Sequence, residues 1–273
     1  MIAISEGEKA LSLALLERVL AGTESHEALL AEVVDFYGSG LTVTIRETGD
    51  GQSRFAVNID GPTLQFKSAV IDLCNGPRIK EAAVHELLHL ALGARGFPLI
   101  YALSIDDRHA PRFPMIDEAI RKAVNVVQHT VFLEEFLQLG LAADRFLSEE
   151  PRQTGYGSEA KKYLGGQLDP ERAWEAWTWW GLEFLRHHCA RRHSGPKTKL
   201  SAESIQKWGD RLLHGFKRRT HEMTRLLDGG EQKTPERYRE TMTALFGLMS
   251  LPADVSYCRL RPRDGLPPRA ECA

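Results

Sequence analysis

His85 and His89 stand four residues apart in the run Ala83-Val84-His85-Glu86-Leu87-Leu88-His89-Leu90-Ala91. On a helix, residues at this spacing share one face, one turn apart. Two imidazoles so placed reach a single cation at about 2.0–2.1 Å. Glu86, next to the first imidazole, is positioned to address water on that cation without ligating it. Zinc lowers the pKa of such water to about 7, and a neighbouring carboxylate can take its proton as the oxygen attacks a carbonyl. The same carboxylate, once protonated, can pass the proton to a leaving amine. The flanking positions are uncharged and apolar, as a buried ligand-bearing helix requires.

Two ligands leave a site incomplete. Structural zinc takes four protein ligands, whereas catalytic zinc takes three and keeps a place for water. Glu118, Asn125 and His129 fall at i, i+7 and i+11, one stripe of a helix read over 116–139. A histidine inside an otherwise apolar helix needs a partner if buried, and a metal supplies one. The expected metal set is therefore His85, His89 and His129. Glu118, Glu134 and Glu135 are the alternatives for the third place, and a core histidine bonded to a carbonyl or carboxylate is the plain reading of His129. Asn125 could orient a ligand from one turn away. Tyr101, His109 and Tyr156 are candidates for steadying an oxyanion.

Residues 6–37 predict two helices broken at Gly22-Thr23. Segments 41–47, 54–60 and 64–73 alternate and are separated by Gly49-Asp50-Gly51 and Gly61-Pro62, which reads as a three-stranded antiparallel meander. A helix is expected from about Arg78 to Leu92, with Pro77 at its start and Gly93 as its left-handed end. Residues 94–115, carrying Pro98, Pro111 and Pro114, read as an irregular excursion. Asp169-Pro170-Glu171 and Thr234-Pro235-Glu236 are helix starts, and Ser201 opens a helix running to Gly229-Gly230. Ser194 to Lys199 reads as a loop and the last 20 or so residues as an extended tail.

The segment His85–His89 resembles the active-site helix of the zincin metallopeptidases, and the strands before it resemble their substrate-flanking sheet. The likeness covers residues 41–93. It implies an α+β fold: a mostly helical, zincin-like domain with a small, largely antiparallel sheet. It also implies Zn2+ as cofactor, Glu86 as general base and acid, and a protein or peptide substrate paired on an edge strand near Val70 to Leu73. A metzincin would have glycine and histidine where Leu92 and Arg95 stand, and no Asn-Glu-x-x-x-Asp run follows as in thermolysin-like enzymes, so the subgroup stays open. The organisation expected is amino-terminal helices over 1–40, a catalytic core over 41–165 and a helical part over 166–273. A non-catalytic zinc-binding regulatory protein and a zinc hydrolase of non-peptide amides are the alternatives.

At 273 residues and 42% hydrophobic, the chain can bury a sizeable core. A formal net charge of −2 gives no global sign of nucleic acid or an acidic membrane surface as partner, though a regulatory protein partner is conceivable. Four scattered cysteines, with no close pair, fit free thiols in a reducing compartment. No basic-then-apolar leader or long apolar run is visible, so a cytoplasmic location is expected. The cluster His187, His188, Cys189 and His193 among arginines reads as a solvated basic helix end, and Trp174, Trp177 and Phe184 as core.

Overall fold

In a computed structural model of the chain, residues 6–46, 53–60, 65–105, 107–142, 146, 180–190, 196–228 and 231–272 are described. They form an α+β fold that is mostly helical and carries two three-stranded sheets. The chain clusters into two compact units that are each discontinuous in sequence. The first comprises Met1–Leu99, Phe132–Glu149 and Cys258–Ala273, and the second comprises Ile100–Val131 and Glu150–Tyr257.

The first unit begins with α1 (Glu6–Leu20) and α2 (Glu24–Tyr37), separated at Gly22, whose φ of 81° gives the left-handed turn that glycine tolerates. Strands β1 (Leu41–Arg46), β2 (Arg54–Asp60) and β3 (Gln65–Cys74) follow, then α3 (Ile79–Ala94). The sheet order is β1-β3-β2, with β1 parallel to β3 and β2 antiparallel to it. This corrects the expected meander. It also moves Val70 to Leu73 from an edge to the centre, where both neighbours already occupy the strand. The reason is apolar content: Ala69, Ile71 and Leu73 are fully buried on one face of β3, while β2 alternates exposed and half-buried residues. The edge that remains beside α3 is β2.

Helix α3 is apolar almost all round and is the central element of its unit, with every residue from Val84 to Gly93 buried except His85. It runs past Gly93, which is not its left-handed end. That role falls to Gly96, at φ 85°. Gly93 serves close packing: a Cβ there would sit 2.5 Å from the Tyr37 hydroxyl, which donates to Leu90 O at 3.0 Å. Pro77 precedes the first helical residue, one position further out than expected.

Residues 94–115 are more regular than their prolines suggest. They contain β4 (Leu99–Ile105) and a 3-10 turn over Asp107–Arg112 before α4 (Phe113–Gln138), which Gly140 stops at φ 80°.

In the second unit, α5 (Leu182–Ala190), α6 (Pro196–Leu212), α7 (Phe216–Asp228) and α8 (Pro235–Met249) follow one another. The single helix expected over 201–229 is two, because Gly215 at φ 75° turns the chain. Pro196 to Lys199 are helical rather than loop. Thr234 caps α8 as expected, its side chain accepting from Arg237 N at 3.4 Å. The expected tail is instead β5 (Ala253–Arg263) and β6 (Leu266–Cys272), a hairpin in a sheet ordered β4-β5-β6. Cys258 lies directly opposite Cys272 and the two form a disulfide, which corrects the expectation of free thiols throughout. No described helix is long and apolar enough to cross a membrane.

Candidate metal centre

Helix α3 puts His85 and His89 on one face, with their Nε2 atoms 3.3 Å apart. Two nitrogens bound to one tetrahedral ion at 2.0–2.1 Å are separated by about the same distance, roughly 3.3 Å. His129 of α4 completes the group, and the ligand nitrogens of all three lie within 4.8 Å of one another. His89 and His129 are buried and His85 is half-buried. A triad of imidazoles so gathered can hold a metal ion.

Aromatic rings set the orientation of the imidazoles. Phe132 and Phe136 follow His129 at i+3 and i+7, on the same stripe of α4. The Phe132 ring stands edge-on to His85 at 5.5 Å and to His89 at 4.8 Å. Phe136 and Phe146 face His85 at 6.2 and 5.1 Å. From the other side, Phe55 of edge strand β2 stacks on His89, with centroids 4.1 Å apart and planes 11° from parallel. Such a surround limits ring rotation and thins the water around the nitrogens, which strengthens electrostatic interactions there.

Arg95, just past α3, fixes the elements beneath this group. Its guanidinium donates from Nε and Nη2 to Glu32 of α2 at 2.7 and 2.8 Å. It donates from Nη1 and Nη2 to Glu135 of α4 at 2.6 and 2.9 Å. The hydrogen bonds to Glu32 and Glu135 hold its pKa above the ordinary arginine range. Three segments of the first unit are thereby tied at one side chain, Arg95 lying six residues beyond His89 and Glu135 six beyond His129.

Glu86 lies on α3 about 100° around the helix from His85. It is buried, and that desolvation pushes its carboxyl up to about 8.

The other candidates are engaged elsewhere. Glu118 faces Arg121 at 3.1 Å and Lys122 at 3.9 Å. Glu134 is exposed, and Glu135 is taken by Arg95. Asn125 is half-buried. The Tyr101 phenol is pushed up by burial and secondarily by Asp117. Tyr156, Trp174, Trp177 and the helix start at Asp169 fall outside the described residues. His187 and His188 do not form a solvated basic end: both are buried, with Nε2 at 3.0 Å from Glu183 and 3.5 Å from Asp228 respectively.

Sequence reasoning missed Phe55, Phe146 and Arg95. Phe132 and Phe136 carried a signal in their spacing from His129, whereas Phe55 and Arg95 carried none. The chain matches no protein-family model, no curated protein and no solved structure. What its fold and site define is an α+β protein with a three-histidine centre able to hold a metal ion.

Proposed function

We propose that the protein is a zinc-dependent peptidase. The observation that carries this reading is the meeting of His129, from a separate helix, with the pair His85 and His89 beside Glu86. Three nitrogen donors fit zinc and match the ligand number of a catalytic rather than a structural site. His85, His89 and His129 hold the ion, which when bound supplies Lewis acidity toward a carbonyl and toward water. Glu86 takes the proton of the attacking water on a carboxylate oxygen and returns it to the nitrogen of the leaving amine. Strand β2 has a neighbour on one side only among the described residues, so an extended peptide can add beside it, next to Phe55 and the His89 ring.

The test joins metal analysis to a peptide-library cleavage assay read by mass spectrometry. The wild type should hold one zinc per chain. His129→Ala should lose it. Glu86→Gln should keep it while cleavage falls on the order of 10²–10⁴-fold. Cleavage that survives Glu86→Gln overturns the reading.

One observation favours a second reading, a metal centre that serves structure alone: Phe132, Phe136 and Phe146 crowd His85. In that case zinc removal unfolds the chain and no peptide or amide is cleaved. Cleavage confined to small chromogenic amides would move the substrate class from peptides to other amides.

A further inference from the structure

Helices α6 and α7 are joined by three residues, Leu213, His214 and Gly215, the last in the left-handed region at φ 75°. The Phe216 ring lies against Gly209, at a place where any larger side chain would collide. Asp210 of α6 accepts the backbone N–H of Lys217 at 2.9 Å. These contacts lock a tight helix–turn–helix.

Helix α7 has two distinct faces. Phe216, Thr220, Met223, Thr224 and Leu227 are buried. The two threonine hydroxyls on that face are satisfied by donating to backbone carbonyls, Thr220 to Phe216 O at 2.8 Å and Thr224 to His221 O at 2.9 Å. On the opposite face Lys217, Arg218, His221 and Arg225 are exposed, one after another along successive turns. None of these four makes an ion pair among the described residues. Exposed arginines elsewhere do: Arg121 with Asp117, Arg237 with Glu240 and Arg261 with Glu271. On α6, Lys207 and Arg211 are exposed one turn apart, and the Arg211 guanidinium lies 5.0 Å from the Trp208 ring centre. Like charges a turn apart repel, so this row costs the free protein some helix stability. The overall net charge of −2 conceals it.

We propose that α6, the turn and α7 form a binding unit for double-stranded DNA, with α7 laid in the major groove. The groove is about 12 Å wide and admits one helix. In a helix–turn–helix the second helix enters it and the first crosses the backbone. From residue 217 to residue 225 the basic row runs about 12 Å, long enough to meet phosphates on the groove walls. Lys207 and Arg211 give the first helix its own phosphate contacts. The inference is independent of the hydrolytic reading, since it uses no residue of the histidine centre.

The test is fluorescence anisotropy of a labelled mixed-sequence duplex titrated with the full-length protein. The expected result is binding at low salt that weakens on the order of 10²-fold between roughly 50 and 200 mM salt, the slope set by about four phosphate contacts. The triple variant Lys217→Gln, Arg218→Gln, Arg225→Gln should bind at least about tenfold more weakly, with unchanged circular dichroism and metal content. The control Arg237→Gln, an arginine already paired, and Glu86→Gln should both bind as the wild type does. No binding at low salt overturns the proposal, and so does binding that the triple variant retains. Polyglutamate displacing the duplex at equal charge concentration overturns it in favour of an acidic protein partner. Tighter binding to single-stranded RNA overturns it in favour of an RNA site.

Discussion

Phe55 holds the His89 imidazole flat against its own ring, so it acts on the candidate metal centre without donating an atom to it. Groups that orient a ligand typically account for 10–100-fold of metal affinity. Phe55→Ala should therefore weaken the proposed zinc binding by about tenfold, measured by competition with a chromogenic chelator. Phe55→Leu, which keeps bulk but not the stacking surface, should fall between the two. At this scale the sequence was most informative where the geometry is local. His85, Glu86 and His89 lie within two turns of one helix, and helical periodicity alone sets their faces. His129 was legible as a polar interruption in an apolar stripe, and its meeting with α3 depends on how two distant elements pack. Arg95 registered only as the residue standing where another family has histidine. Its grip on Glu32 and Glu135 joins residues 63 and 40 positions away, a relation no local pattern carries.

Gly93 and Arg95 govern how α3 sits against its neighbours, and Gly93 makes a prediction about an element rather than a side chain. Gly93→Ala should cost about 1–3 kcal/mol in denaturant unfolding, because the added methyl has no room beside the Tyr37 hydroxyl. Tyr37→Phe combined with Gly93→Ala should recover part of that loss, which a pure helix-propensity effect would not allow. In the second unit, Glu183 of α5 is half-buried, and that partial desolvation alone would raise its pKa. The hydrogen bond from His187 and the charges of Arg186, His187 and Lys122 outweigh burial and hold it below the ordinary value of 4.5. An acid depressed in the folded state stabilises the fold above its unfolded pKa, and that contribution is lost as the pH falls. Unfolding monitored by circular dichroism should show the wild type weakening below about pH 4.5, and Glu183→Gln weakening less over the same range. Element types were readable from periodicity, but pairing was not. Alternation in β1, β2 and β3 states that each has two faces and is silent on which strand is central. The split at Gly215 is not legible in the sequence, because a lone glycine within an apolar-periodic stretch is as compatible with a continuous helix as with a turn.

For the molecule as a whole, the two units interleave along the chain, each gathering segments far apart in sequence. The disulfide is a property at this scale too. Cys258 and Cys272 close a hairpin, while Cys74 and Cys189 take no part in a disulfide. Thiol titration of the denatured protein should count two groups before reduction and four after. Cys258→Ser with Cys272→Ser should lower stability by about 2–3 kcal/mol. Spacing could not reveal this bond, because the two residues meet only once the tail is known to fold back on itself.

The open flank of β2 has one more consequence. A ladder of backbone groups that can accept an extended peptide can equally accept the same strand from a second copy of the protein. For the peptidase proposed above, crowding the solution then becomes a form of self-blockade: turnover per molecule should decline as protein concentration rises, and dilution should restore it.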